Sequence, residues 1–359
     1  MVEQSWRHGP LVRFAGRALA AVLDPSIVLS FDRTGYRLHS LDFRADDLDV
    51  DMRGKVCLVT GANSGLGRAT ATALARRGAE VWLLCRSVSR ARPVVDAIRR
   101  ETGNAEVRLE IVDVGILDSV RAFAARFPRP VVDVLVHNAG VLSDLRSETP
   151  DGIELTLATN VVGPFLMTQL LLPRLVAAPQ GRVIHVSSGG MYTRRLTLDD
   201  PQFERPLFDG VTAYAWTKRA EVILTEIWAE RLRGTRVTVN AMHPGWADTP
   251  SVRTSLPRFY RVMQPLLRSA DEGADTIVWL AVCPRLASES GRFWFDRSSR
   301  TTHYLPWTKE SPADRLRLWE LCCHLAGIDL EDAGRAELTP RTNGGAALPA
   351  ALSRNGTGE

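Results

Sequence analysis

The stretch Thr60-Gly61-Ala62-Asn63-Ser64-Gly65-Leu66-Gly67 decides the fold of this 359-residue chain. Ahead of it, Lys55 to Val59 (KVCLV) reads as a short parallel strand buried in the sheet. Behind it, Arg68 to Arg77 (RATATALARR) sets Ala71, Leu74 and Ala75 on one helical face. A strand, a glycine turn and a helix N-terminus together make a phosphate site. Glycines let the backbone turn tightly and approach a pyrophosphate, while free N–H groups and the positive end of the helix dipole face its charge. A glycine triplet alone is weak evidence, and a Gly-rich turn that merely packs is the plain alternative; the flanking strand and helix favour the nucleotide reading. Gly61, Asn63, Ser64, Gly65, Leu66 and Gly67 are therefore candidate contacts for a bound phosphate.

The same alternation continues downstream. Apolar runs at 81–85 (VWLLC), 107–112 (VRLEIV), 131–137 (VVDVLVH), 182–187 (RVIHVS), 236–242 (RVTVNAM) and 291–296 (GRFWFD) are separated by helical stretches. The helices start near Gly65, Ser89, Leu117, Asp151, Thr212 and Asp271. Strand and helix in turn predict a parallel sheet with helices on both faces, a single doubly wound α/β domain over residues 54–300. Residues 1–53 read as an appended N-terminal arm, and 301–332 as a helical extension with Leu316, Trp319 and Leu325 on its apolar side. Residues 333–359, rich in Gly, Ala, Asn and Thr, read as a disordered tail.

Composition excludes several classes. The 45 basic against 41 acidic residues give a net charge of +4, too small and too dispersed for a nucleic-acid footprint. The five cysteines form no spaced framework and the seven histidines are scattered, so no metal site is expected and reduced thiols in a cytoplasmic compartment are. No run approaches the roughly 18 to 20 apolar residues of a membrane span. Leu11 to Leu23 (LVRFAGRALAAVL) carries a helical stripe of Leu11, Phe14, Leu19 and Leu23, suited either to peripheral contact with a membrane surface or, the reading preferred here, to packing on its own domain. Glu3 and Asp24 flank too short an apolar centre for a signal peptide.

The second strand ends at Cys85-Arg86-Ser87. A carboxylate at that point would hydrogen-bond an adenosine ribose and repel a 2′-phosphate. Arg86 instead offers a planar, permanent cation, so NADP(H) is expected over NAD(H); the alternative is a solvated surface arginine. Asp113, with Val114 beside it, follows the third strand and either meets the adenine edge or caps the strand end.

Tyr214-Ala215-Trp216-Thr217-Lys218 lies on a predicted helix, where i, i+4 spacing puts phenol and ammonium on one face. A neighbouring cation favours a phenolate and brings a tyrosine toward proton transfer near neutral pH. Ser188, at the end of RVIHVS, is placed to hydrogen-bond a substrate carbonyl, with Ser187 as its rival. Asn160 sits mid-helix in LATNVVGPF, where an indifferent helix former invites a polar task.

These residues resemble one family. Thr60-Gly-x-x-x-Gly-x-Gly67, His137-Asn138-Ala139-Gly140, Asn160, Ser188, Tyr214-x-x-x-Lys218 and Pro244-Gly245 followed by Thr249 stand in the order seen in short-chain dehydrogenases/reductases. The resemblance covers about residues 54–300 and implies a Rossmann-type sheet of seven parallel strands. It also implies a tetrad in which Tyr214 is the acid/base, Lys218 holds the nicotinamide ribose and lowers the tyrosine pKa, Ser188 orients the carbonyl and Asn160 supports a relay water. Asn138, Ala139 and Gly140 would line the adenosine ribose side, and Pro244, Gly245 and Thr249 the nicotinamide. Dimers or tetramers are common in the family. His137 stands where Asn is usual, which touches sheet packing more than chemistry, and the long Arg194 to Gly210 insertion resembles retinol-dehydrogenase-like members. VSSGGMY (186–192), HPGWADTP (243–250) and GADT (273–276) are similar to the dehydrogenase/reductase family member twelve group.

The implied reaction is hydride transfer between NADP(H) and a small-molecule carbonyl or alcohol. The segment after Thr249 (SVRTSLPRFYRVMQPLLRS) mixes apolar residues with Arg253, Arg258, Arg261 and Arg268, and suits either a flap over a lipophilic substrate or a helix pair packed on a partner subunit; the arginines read as a solvated face, with an acidic lipid headgroup as the alternative. A non-catalytic NADP(H)-binding regulator is the alternative, though it would need no acid/base pair. A sugar-nucleotide epimerase would space its glycines differently from 61, 65 and 67.

Overall fold

The computed structural model describes residues 30–205, 207–255 and 257–335. The Leu11–Leu23 stripe and the tail from 336 onward lie outside the described residues. Eight strands form one sheet in the order β3-β2-β1-β4-β5-β6-β7-β8. β1 (Val56–Thr60), β2 (Glu80–Cys85), β3 (Val107–Ile111), β4 (Val134–His137), β5 (Gly181–Val186), β6 (Val237–His243) and β7 (Phe293–Phe295) are parallel. β8 (Ser298–Arg300) turns back antiparallel against β7, one strand more than expected.

Alternate residues of β1 face opposite layers, as a strand covered on both sides requires: Val56 and Leu58 join one apolar cluster, Cys57 and Val59 the other. Helices α2 (Gly65–Arg76), α3 (Val88–Thr102) and α9 (Ala270–Val282) cover the second side. The first side is covered by α4 (Leu117–Arg126), α5 (Leu155–Val176), α6 (Gly210–Arg231) and α10 (Pro312–Ala326). α1 (Arg33–His39) lies ahead of the sheet, while α7 (Pro250–Ser255) and α8 (Pro257–Met263) follow β6.

Several sequence expectations need correction. Asp151 does not open α5. Its carboxylate accepts the Leu117 N–H at 3.0 Å and so caps α4, while Glu154 caps α5 through Thr156 and Leu157. α5 itself meets the length and composition of a membrane span, contrary to the expectation of no such run, but 89% of its most apolar stretch is buried in the fold. On α10 the buried stripe is Leu318, Trp319, Cys322, Cys323 and Ala326, and Leu316 is exposed. Arg268 does not belong to a solvated face: its guanidinium is 1% exposed and forms two hydrogen bonds to Asp296, at 2.6 and 2.9 Å.

That buried pair ties the start of the described chain to the end of the sheet. Arg268 also donates to the Ser30 and Asp32 carbonyls (2.9 and 3.0 Å), and His39 Nδ1 lies 2.6 Å from Asp296. Phe31 packs edge-on against His243, Trp246 and Phe295. Asp296 and Arg297 form the two-residue β7–β8 turn with φ of 47° and 56°, a left-handed conformation that most side chains avoid. Their partners hold them there, Arg268 for Asp296 and Asp275 for Arg297. Burial disfavours an ionised Asp296, but Arg268 and His39 outweigh it and hold the carboxyl at about 2. Asp296→Asn should lower unfolding free energy by about 3–5 kcal/mol at neutral pH, because it leaves the buried guanidinium without its counter-charge. Urea denaturation measures the loss.

Three histidines at the strand ends make the fold acid-sensitive. His137, His185 and His243 are buried, and burial drives all three below 6.5, His185 and His243 to about 3. The unfolded chain takes up these protons and the folded chain does not, so stability falls as pH drops below about 6.5. With three such groups the loss is roughly 4 kcal/mol per pH unit between about pH 6 and 4. Urea midpoints at pH 7 and pH 5 check this, and His185→Phe should reduce the slope by about a third.

Candidate functional site

The sheet order reverses direction between β1 and β4, so the loops leaving these strands diverge and open a crevice. One side chain from each strand end fixes its floor. Thr60 Oγ1 accepts the N–H groups of Asn138 (3.0 Å) and Ala139 (2.9 Å), and Asn138 Nδ2 donates to the Thr60 carbonyl at 2.8 Å. Gly61 and Gly65 have φ of +64° and +52°, which a side chain rarely adopts. A Cβ at Gly67 would lie 2.6 Å from the Gly61 carbonyl oxygen and 2.5 Å from Asn138 Nδ2. Ser64 precedes α2 without capping it through its side chain, so the first-turn N–H groups stay available to an anion. Asn63, Ser64 and Leu66 are partly exposed beside them.

The ends of β2 and β3 lie beyond β1 on the same side of the crevice. Arg86 is exposed and makes no ion pair or side-chain hydrogen bond with another described residue. Cys85, read in the sequence only as a reduced thiol, has a structural part: burial pushes it up to about 11, with the Ala62 and Asn63 N–H groups directed at its sulfur. Asp113 Oδ1 accepts the Gly115 N–H at 3.0 Å and shapes the turn after β3; Val114 is buried. A Cβ at Gly163 of α5 would run into the Val114 carbonyl, so that glycine lets helix and turn touch.

Asn160 occupies a π turn, Ala158–Val162, inside α5. Such a turn inserts an extra residue and marks functional positions in many helices. The buried side chain accepts the Val141 N–H (2.9 Å) and donates to the Val141 carbonyl and to Thr217 Oγ1, each at 3.0 Å. Thr217 in turn donates to the Tyr214 carbonyl at 2.8 Å, so Asn160 is braced against the α6 turn that bears Tyr214. Tyr214 is partly exposed, and the Lys218 Nζ lies 5.4 Å from its ring centre. Lys218 is buried and donates to the Val186 carbonyl (3.0 Å) and to Glu221 Oε1 (2.7 Å). A Cβ at Gly140 would stand 3.4 Å from both Lys218 Nζ and Asn160 Oδ1.

The two serines take different parts. Ser187 is buried and its hydroxyl donates to the Lys218 carbonyl at 2.9 Å, joining β5 to α6. Ser188 is partly exposed and its Oγ accepts the Gly190 N–H at 3.2 Å, leaving its proton free. His137 packs as expected, its ring stacked on His185 with centres 4.8 Å apart and Nε2 2.8 Å from Thr168 Oγ1.

On the far wall, Gly245 has φ of +73° and lies against the Arg268 guanidinium, which a Cβ there would overlap. The Pro244 carbonyl faces the same group at 3.5 Å. Thr249 reaches across to the glycine turn: its Cγ2 lies 3.3 Å from where a Gly65 Cβ would be. Arg253 pairs with Asp248 by two bonds of 2.7 Å, whereas Arg258 and Arg261 are exposed. Glu221, Thr217, Gly163 and Arg268 were missed as parts of the site. Only Glu221, three residues beyond Lys218, carried a sequence signal, since i, i+3 side chains share a helix face.

Comparison with known proteins agrees with this geometry. A family model described as short chain dehydrogenase matches residues 55–198. Dehydrogenase/reductase SDR family member 12 of Bos taurus is 44% identical over 299 residues, 82% of this chain and 94% of that protein. Retinol dehydrogenase 12 of Homo sapiens is 37% identical over 287 residues, 79% of this chain and 90% of that one. Among solved structures, an uncharacterized protein of Mycobacterium paratuberculosis superposes with a TM-score of 0.64 at 27% identity, covering 79% of this chain and 97% of its own. An Escherichia coli CFT073 protein described as a short chain dehydrogenase, complexed with NADPH, gives 0.58 at 26% identity over 71% of this chain and all (100%) of its own. The glycine turn at the sheet's switch point, the helix pair of Tyr214 and Lys218 and these relatives lead to one conclusion: the chain belongs to the short-chain dehydrogenase/reductase family of oxidoreductases.

Proposed function

We propose that this chain transfers hydride reversibly between NADP(H) and a lipophilic carbonyl or alcohol, with Tyr214 as the acid/base. The observation that carries the reading is the buried Lys218 ammonium, which lies 5.4 Å from the Tyr214 ring centre and, with the clamped Asn160 Oδ1, 3.4 Å from where a Gly140 Cβ would stand. The residues present fit a dinucleotide: Gly61, Gly65 and Gly67 with the uncapped start of α2 would take the pyrophosphate. Asn138, Ala139, Gly140 and Lys218 would take the ribose side, and Pro244, Gly245 and Thr249 the nicotinamide side. Asp113 and Val114 would border the adenine. The unpaired Arg86 suits a 2′-phosphate, and the NADPH complex of the E. coli relative supports that preference.

When bound, the nicotinamide supplies or accepts the hydride. Tyr214 gives its phenolic proton to the developing alkoxide in reduction and takes it back in oxidation. Ser188 donates its free hydroxyl proton to the substrate oxygen, since Gly190 already occupies an acceptor site on its Oγ. Asn160 holds the Tyr214 turn through Thr217.

The crevice rim supports an apolar substrate. Leu145, Leu207 and Val211 are 77%, 98% and 53% exposed, and Gly210 abuts Ser143 and Asp144, which brings the first and last of them to one edge. The relatives named retinol dehydrogenase point the same way. Tyr214→Phe should lower turnover by about 10²–10⁴ with NADPH affinity retained, read from NADPH absorbance against lipophilic aldehydes and from nucleotide fluorescence titration. Unchanged turnover overturns the proposal. Arg86→Glu should reduce the NADPH-over-NADH preference at least about tenfold, and equal rates with both nucleotides in the unaltered protein would remove the NADP(H) assignment.

A further inference from the structure

Glu221 is a buried acid that the mechanism above does not use. It lies one helical turn beyond Lys218 on α6, its side chain 5% exposed against 4% for Lys218, and its Oε1 receives the ammonium at 2.7 Å. Its Oε2 is buried without a partner among the described residues. A carboxylate half-satisfied in the interior is unfavourable unless the charge beside it needs it. We propose that Glu221 is a positioning residue for Lys218, the counter-ion that keeps a fully buried ammonium charged and turned toward Gly140. The proposal rests on the reading of Lys218 given above.

The geometry accounts for each ammonium proton. One goes to the Val186 carbonyl and one to Glu221, which leaves the third on an ammonium that stands 3.4 Å from where a Gly140 Cβ would be. Without a counter-ion this position disfavours a cation, because burial lowers a lysine. Burial acts on Lys218 in that direction, but Glu221 first and Tyr214 second outweigh it and raise the ammonium above its usual range. Reciprocally, burial raises the Glu221 carboxyl to about 7, and Lys218 limits the rise. The other titratable groups that feel this ammonium are Tyr214 on the same helix and His185 on β5, which burial and Lys218 together keep neutral. A neutral amine at Lys218 could neither hold a ribose hydroxyl by a charged hydrogen bond nor act on the tyrosine electrostatically.

Lysine is rare enough here to be observed directly. Only Lys55, Lys218 and Lys309 occur among the 45 basic residues, so selectively ¹⁵N-labelled lysine gives three side-chain signals, assigned with Lys55→Arg and Lys309→Arg. In the unaltered protein the Lys218 signal should be that of a charged ammonium throughout the range from about pH 6 to 9; a neutral amine in that range overturns the proposal even if no variant folds. Glu221→Gln should lower the Lys218 titration midpoint by at least about one unit, a tenfold change in its proton affinity. Its alkaline activity limb should move to lower pH in parallel, while Glu221→Asp restores both. A Lys218 midpoint unchanged by Glu221→Gln also overturns the proposal. The nitrogen titration needs no substrate, so its outcome is separate from that of Tyr214→Phe: loss of the catalytic reading would leave the lysine signals to decide the pair on their own.

Discussion

The hydrogen bonds that join the ends of β1 and β4 through Thr60 and Asn138 are the constraint on which the crevice depends. At the switch point the two strands pair over three positions, from Cys57–Val134 to Val59–Val136, and beyond that their loops part. Thr60 Oγ1, taking two consecutive N–H groups, satisfies backbone donors that the ladder no longer reaches. Asn138 does the same for two carbonyls with one amide. The floor of the site is thus rigid without any strand beneath it. Gly61 and Gly67 then need to be small because neighbouring backbone comes within 3.0 Å of where their Cβ atoms would be.

How much of this was legible in the sequence depended on the range of the interaction. The phosphate turn, the strand runs and the Tyr214–Lys218 pair are local patterns of period two, period 3.6 or fixed spacing, and each predicted element appears within a few residues of its place. Residues whose partners lie far along the chain were misread. Arg268 stands among arginines that do face water, and only the return of β7, with Asp296 behind it, makes it a core residue. Asp151 looked like the start of the helix that follows it, yet tertiary packing brings it to Leu117 instead. α10 was read with Leu316 inward because the sequence around it is apolar on several sides, and packing against Phe165 and Trp228 selects Trp319 and its neighbours.

Asn160 illustrates an intermediate case. The sequence shows an uncomfortable residue within a helix and suggests a polar task, but not how the backbone makes room for it. The π turn supplies that room, shifting the Gly163 N–H to the Ala158 carbonyl and turning the amide toward Val141 and Thr217. The same helix is apolar enough for a membrane, and this buried amide, with Thr156, Thr168 and Gln169, belongs to an interior built to receive polar groups.

The Arg268 guanidinium binds the Ser30 and Asp32 carbonyls on one side and packs under Gly245 on the other. Seating of the chain's early residues and the shape of the loop on the far wall are therefore one equilibrium seen from two ends. Whatever occupies the crevice against that loop tightens the early segment by the same free energy with which that segment, once seated, tightens the occupant.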